Sequence, residues 1–218
     1  MTNKNLELDY QKEIAKIHYY SQYDTSDFNL VIETSLQLKK HGYDDSQINF
    51  YVGRAYQELN QQEQAIEFYQ KSISTVDAYS NWTKELSSNN LGNIYFDIDS
   101  YDECIEVCKS NIANANNDLY KANALYLVAH SYYLKTFKLM KISPTYTSQL
   151  IKCLQKAEEN VLKALEMQPE NVDYLVLAGS MYKKGLELDA GFSVKAKHYL
   201  KKAATLGDNQ AKQLLNQF

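Results

Sequence analysis

Cys104 and Cys108 stand four residues apart, a spacing that puts two thiols on one face of a helix. Metal or redox use would need further ligands close by, and no CxxC pair or Cys/His group follows at zinc-site spacing. Cys153 has no partner evident in the sequence. The three thiols are therefore expected to be buried and inert, because free cysteine packs as a small hydrophobe. His18, His41, His130 and His198 are scattered, and none falls in an HxxxH or HExxH arrangement. No Gly-x-Ser-x-Gly elbow or phosphate-binding glycine loop occurs. The neighbouring carboxylates Asp44-Asp45 and Glu158-Glu159 look like solvated helix starts and faces. These residues ask for no catalytic centre, metal or cofactor, and a non-enzyme is expected. A site assembled only in three dimensions stays open as the lesser alternative.

Other residues suit recognition better than reaction. Arg54 is the one arginine among 23 basic residues. A guanidinium can hold a carboxylate through two parallel hydrogen bonds, which lysine cannot. Asn89, Asn90 and Asn93 cluster on a predicted helix, although asparagine is a poor helix former. An amide offers both donor and acceptor, as a peptide backbone requires, and ordinary surface polarity is the competing explanation. Of the 19 tyrosines, Tyr51, Tyr126 and Tyr133 fall off the main packing positions, where they could be exposed contact residues or amphipathic filler. The net charge of -4 and pI near 5.6 argue against a general nucleic-acid binder.

Nearly continuous helical periodicity must position these groups. Helices are expected at 5–22, 27–41, 45–59, 62–76, 82–98, 101–114, 118–140, 147–167, 171–187, 192–206 and 208–217. Gly42 suits the left-handed stop of the second helix, and Pro169 lies just beyond another. A small residue followed three places later by tyrosine, with alanine opening the next helix, recurs through the chain. It reads Gly53, Tyr56 and Ala65, then Gly92, Tyr95 and Cys104. It returns as Ala129, Tyr132 and Ala157, and last as Gly179, Tyr182 and Ala196. Small side chains let two backbones approach, and an aromatic fills the wedge between them.

This pattern resembles the tetratricopeptide repeat family over roughly residues 45–206, most strongly at 46–79. The resemblance implies an all-α fold, a right-handed α-solenoid of stacked antiparallel helical hairpins. The steps from Gly53 to Gly92, Gly92 to Ala129 and Ala129 to Gly179 all exceed the family's 34-residue repeat, so the copies are imperfect. Lys202-Ala203-Ala204-Thr205-Leu206-Gly207, followed by Ala211 and Leu214, is similar to the related Sel-like repeat. The expected domains are a degenerate amino-terminal hairpin at 1–44, tetratricopeptide-like repeats at 45–207 with an insert near 134–149, and a capping helix at 208–218. Leu30, Ile32, Leu36 and Leu38 are expected to supply the apolar positions of the first hairpin. Tyr56, Tyr95, Tyr132 and Tyr182 are expected in the core.

In stacks of this family the first helix of each pair lines a concave groove. The resemblance thereby implies a partner-binding set of Phe50, Arg54 and Gln57, then Asn89, Asn90, Asn93 and Phe96, then Tyr126, His130 and Tyr133, and finally Val176, Ser180 and Lys183. Asn90 and Asn93 could serve the family's carboxylate clamp. Phe50, however, stands at the first clamp lysine, while Asn123 and Leu127 occupy the later basic positions, which disfavours a chaperone-tail receptor. A non-catalytic scaffold for a protein or peptide ligand, one with an acidic group for Arg54, is the leading expectation. An immunity or regulatory protein that neutralises one specific protein is the alternative. In the insert, Lys135, Lys138 and Lys141 alternate with apolar residues, which suits either an amphipathic extension or two lengthened helices packing together. Self-association as a homo-oligomer through Leu214, Leu215 and Phe218 stays open. The amino terminus lacks the apolar core of a secretion signal, and no run approaches the ~20 apolar residues that span a bilayer. A reduced, soluble, cytoplasmic protein is expected.

Overall fold

The computed structural model describes residues 3–22, 26–142, 148–185 and 192–218, with side chains from Tyr10 onward, Ile142 excepted. These residues form eleven α-helices. They are α1 (Asn3–Tyr20), α2 (Phe28–Lys40), α3 (Ser46–Glu58), α4 (Gln62–Ser74), α5 (Ser80–Asp97), α6 (Tyr101–Asn114), α7 (Asp118–Ile142), α8 (Ser148–Met167), α9 (Val172–Lys184), α10 (Phe192–Thr205) and α11 (Asn209–Leu215). Each expected helix is present, with ends within a few residues of expectation; of the expected spans, 147 and 186–187 lie outside the described residues. Two compact units divide the chain, Met1–Ile94 and Tyr95–Phe218, and their boundary falls within α5.

Local chemistry explains where helices start and stop. Asp27, Asp45, Asn171 and Asp208 precede α2, α3, α9 and α11, and each accepts a hydrogen bond from a first-turn N–H (Leu30, Ile48, Tyr174 and Ala211). A cap of this kind satisfies a donor that the helix itself cannot, worth about 1 kcal/mol. Four helix ends share one closing device. Gly42, Asn60, Asp99 and Gly207 take positive φ angles of 92, 58, 62 and 101°. The next N–H then returns to the carbonyl five residues back: Tyr43 to Leu38, Gln61 to Tyr56, Ser100 to Tyr95 and Asp208 to Ala203, at 2.9 to 3.2 Å. Glycine enters this conformation without a Cβ penalty, and Asn and Asp are the side chains that tolerate it best.

In the amino-terminal unit, Ile17 of α1 packs in the core with Val31 and Leu38 of α2 and Ile48 and Val52 of α3, all buried. The face of α2 that turns inward is Val31, Thr34, Ser35 and Leu38. Leu38 is thus the expected core residue that proves buried, whereas Leu30 and Ile32 are half-buried and Leu36 is exposed. Tyr10 stacks on Tyr43 and donates to Asp45, tying α1 to the cap of α3. At the α3–α4 crossing a Cβ on Gly53 would lie 2.9 Å from the Tyr69 ring, which is completely buried. The small-residue rule therefore holds, but the aromatic that fills the wedge is Tyr69 of the second helix. Tyr56 and Tyr95 are only half-buried, and Tyr56 stacks on Phe68.

A seam of small polar side chains joins α3, α4 and α5 within this unit. Ser72 Oγ donates to the Ser46 carbonyl at 2.8 Å, Thr83 Oγ1 to Ser46 Oγ at 2.9 Å, and Ser87 Oγ to Ser72 Oγ at 2.9 Å. Asp77 closes the seam, accepting from the Ser46 N–H and hydroxyl at 2.6 and 2.7 Å. Burial works against the Asp77 charge, but these hydrogen bonds outweigh it and hold the carboxyl below its ordinary range.

The carboxyl-terminal unit buries Cys104 and Cys108 with Val128, Ala129, Ala157, Val161, Ala178 and Leu200 in one core. Tyr132 and Tyr182 are buried there as expected. The hydrogen bond to Cys104, then burial, raises the Cys108 thiol's pKa, and burial raises that of Cys153. The Cys104 thiol is shifted the other way, lowered by its hydrogen bond with Cys108, and all three thiols are buried away from solvent. Where α9 meets α10, a Cβ on Gly179 would approach Leu200 Cγ to 2.5 Å. The lengthened α7 carries Lys135, which pairs with Asp102, and Lys138, which lies 4.3 Å from the Tyr101 ring centroid and reaches the Asp99 carbonyl. Those lysines of the insert are thus tied to the start of α6; residues 143–147 lie outside the described residues.

Replacing Gly179 with alanine is expected to lower stability by about 1–2 kcal/mol, the overpacking outweighing the ~1 kcal/mol gained in helix propensity. In a Leu200→Ala background, where space has been opened, the same substitution should be neutral or stabilising. Urea unfolding of the four variants as a double-mutant cycle checks this, and equal effects in the two backgrounds would acquit the Gly179–Leu200 contact.

Candidate functional site

The expected partner-binding residues divide between the two units, and each set has its own geometry. In the amino-terminal unit, Arg54 and Gln57 of α3 and Asn89, Asn90 and Asn93 of α5 are half-buried. The Tyr69 hydroxyl joins two of them: it donates to Gln57 Oε1 at 2.7 Å and accepts from Asn90 Nδ2 at 2.9 Å. This chain fixes both amides. It directs the Gln57 oxygen and the Asn90 nitrogen inward, so Gln57 keeps its NH₂ donors and Asn90 its carbonyl acceptor for other partners. Burial raises the Tyr69 pKa, opposed by the Asn90 hydrogen bond and the Arg54 charge, so the phenol stays neutral. Asn93 Nδ2 turns back to the Asn89 carbonyl at 3.0 Å.

Phe50 is a correction. It is 5% exposed, with its ring against Tyr51, Tyr69 and Trp82, so its place is in the interior and not on the surface beside Arg54. Tyr51 is likewise buried. The Trp82 side chain of α5 covers this side of α3.

In the carboxyl-terminal unit the expected residues come together around a pocket of about 270 Å³. Tyr126, His130 and Tyr133 of α7 line one side, with Val176, Leu177 and Ser180 of α9 opposite. Asp173, at the start of α9, and Asp208 and Gln210, at the start of α11, complete the lining. Tyr126 stacks on Tyr174 at 5.0 Å, and its hydroxyl is 3.2 Å from His130 Nδ1. The Phe96 ring lies against the imidazole, with centroids 4.8 Å apart. Tyr133 OH donates to the Ser180 carbonyl at 3.4 Å. Burial pushes the Tyr126 hydroxyl up to about 12, helped by the nearby Asp173 charge, and burial alone does the same for Tyr133.

Lys183 also departs from expectation. Its ammonium bonds to Gln217 and the Leu214 carbonyl and lies 5.5 Å from the Phe218 ring centroid, so it fastens the chain end to α9. Asp173, Asp208 and Gln210 were not anticipated. Asp208 and Gln210 lie at the cap and first turn of α11, and only the folded path of that helix brings them beside α9. Among the described residues, no group of three or more His, Cys, Asp or Glu side chains could hold a metal ion. No helix of the described chain is long and apolar enough to cross a membrane.

Comparison with protein families matches residues 47–75, which cover α4 and nearly all of α3, to the tetratricopeptide repeat. The match is confined to these residues. The Gly53–Tyr69 crossing lies inside it. A comparison with curated proteins gives no match. Among solved structures, MamA from Desulfovibrio magneticus RS-1, from its residue 41 to its end, is 18% identical over 89% of this chain and 94% of its own, with a TM-score of 0.65. A further MamA structure is 19% identical with a TM-score of 0.66, covering 93% of this chain and 96% of its own. Human IFIT1, as a dimer with PPP-AAAA, matches at 13% identity and a TM-score of 0.56, over 88% of this chain and 39% of its own. At these identities the likeness is one of fold: an all-α, tetratricopeptide-like succession of helical hairpins.

His130 gives the pocket a pH signature. Burial lowers its pKa from 6.5 to about 4, against the opposing pull of Asp173. Above pH 6.5 the imidazole is neutral in folded and unfolded chains, and the stabilisation is complete. As pH falls from 6.5 towards 4 the unfolded chain takes up the proton first, and stability drops by on the order of 2 kcal/mol. A His130→Gln variant is expected to lose that component of the slope, seen by comparing unfolding midpoints of the two proteins across this range.

Proposed function

We propose that this chain is a non-catalytic scaffold that binds a protein or peptide through the first-helix faces of its tetratricopeptide-like repeats. The observation that carries this is the Gln57–Tyr69–Asn90 chain. A buried phenol holds two amides in fixed orientation, so a donor and an acceptor are set for a ligand backbone before it arrives. Groups already ordered lose little entropy on binding, and a few such anchors usually dominate affinity. Arg54 adds a guanidinium beside them for an acidic group. In the carboxyl-terminal unit, Tyr126, His130, Tyr133 and Ser180 supply a pocket for a side chain. The tetratricopeptide match supports this reading, since repeats of that kind commonly present surfaces for protein partners.

The finer organisation follows the same reading. Residues 1–44 act as an end-covering hairpin, 45–207 as repeats and 208–218 as a closing helix. The likeness of 202–207 to a Sel-like motif is supported by buried Ala203 and by Gly207 at positive φ.

Affinity capture from the source cell's lysate, with mass-spectrometric identification, tests the proposal. A partner held by the wild type should be lost, with affinity weakened by ~1–3 kcal/mol per true anchor, in Arg54→Ala/Asn93→Ala or in Tyr126→Ala. Circular dichroism must show each variant still helical. Equal capture by wild type and both variants would rule these faces out as the binding surface.

A further inference from the structure

The pocket between α7, α9 and α11 carries a charge pattern opposite to that of Arg54. Asp173 and Asp208 stand at its rim, and no lysine or arginine lines it. Among the described residues Asp173 makes no ion pair or hydrogen bond. Asp208 spends one oxygen on capping α11, through the Ala211 N–H at 2.6 Å. The rings of Tyr126 and Tyr133, half-buried, line the same space together with Val176 and the buried Leu177. At about 270 Å³ the space is smaller than a drug-sized ligand needs and suits a single long side chain.

We propose that this pocket receives one basic side chain, lysine or arginine, of a partner polypeptide. This assignment rests on the protein-binding function proposed above and names the chemistry that its carboxyl-terminal half selects. The aliphatic stem lies along Val176 and the tyrosine rings, and the charged head meets Asp173 and the remaining oxygen of Asp208. Aromatic faces attract a cation as well as an alkyl chain, so one wall serves both parts of the ligand. The imidazole at the back does not oppose a cation, because burial keeps it neutral at physiological pH. The field of Asp173 already reaches into the pocket, where it raises the Tyr126 pKa in addition to burial. Lys183, the next basic group along α9, is held by Gln217 and the Leu214 carbonyl instead of filling the space.

The test is an NMR titration of the full chain with four blocked tripeptides, acetyl-Gly-X-Gly-amide, where X is lysine, arginine, norleucine or glutamate. The lysine and arginine peptides should shift the Asp173 and Ser180 amide signals saturably at millimolar concentration, about tenfold more tightly than norleucine. The Asp173→Asn/Asp208→Asn variant should weaken the lysine peptide about tenfold and leave norleucine unchanged; asparagine keeps the α11 cap. Equal binding of norleucine would overturn the proposal in favour of a merely apolar slot. Preference for glutamate, or no saturable shift with any peptide, would overturn it as well. Should the double variant fail to fold, the comparison among peptides on the wild type still decides. Because the probes contain no cellular partner, lost cation preference alongside Tyr126-dependent capture removes this assignment alone and leaves the scaffold function standing.

Discussion

Two helices of this chain can cross closely only where one of them has almost no side chain. At Gly53 the ring of Tyr69 occupies the space a methyl group would need, and at Gly179 Leu200 does the same. Gly92 and Ala129, both buried, stand at the corresponding places of the other copies, and Ala65, Ala157 and Ala196, completely buried, open the second helices. The rest of the architecture depends on that constraint. It sets which faces of the helices meet, and so which residues turn inward to make a core and which are left for another molecule. Tyr69 shows the connection most directly. Its ring is the packing partner of Gly53, and its hydroxyl is the bridge between Gln57 and Asn90. One side chain thus serves both the helix crossing and the surface next to it.

The units solve the same packing problem with different materials. The amino-terminal one places Ser46, Ser72, Thr83 and Ser87 where helices approach, and satisfies their hydroxyls against one another and Asp77. Small hydroxyls permit close approach as alanine does, and they add direction, because each bond fixes a rotamer. The carboxyl-terminal unit relies on alanine and thiols, with Cys104 and Cys108 in positions that a more regular copy fills with alanine and an aromatic.

The helices were legible in the sequence because their signals are local: periodic apolar positions, capping Asp and Asn residues, and breakers such as Gly42. The left-handed corner at Asn60 and Asp99 was visible only as a polar turn, since neither residue demands positive φ as glycine does. The face of α2 was misplaced by one position, as Val31 and not Ile32 turns inward. A two-helix segment rich in aliphatic residues offers several plausible stripes, and only the docking of α1 and α3 chooses between them. Site residues followed the same division. Arg54, Gln57, Asn90, Tyr126 and His130 could be placed by counting from the small residues of their own helices. Phe50 could not, because Trp82 covers it from another helix, and neither could Asp208, which reaches the pocket from α11. Spacing along one helix predicts direction; cover and company come from elsewhere in the chain.

The helices of each unit pack chiefly on their immediate neighbours in the sequence, α1 on α2, α3 on α4, α6 on α7, α9 on α10. That local wiring bears on how the molecule is made. Loops to be closed before a stabilising contact forms are short, so the entropic barrier to folding is low and folding should be fast. On a ribosome the first hairpins can settle against each other while the sequence of α7 is still untranslated. A chain that assembles in the order it emerges keeps little apolar surface waiting for a distant partner, which limits the opportunity for aggregation during synthesis.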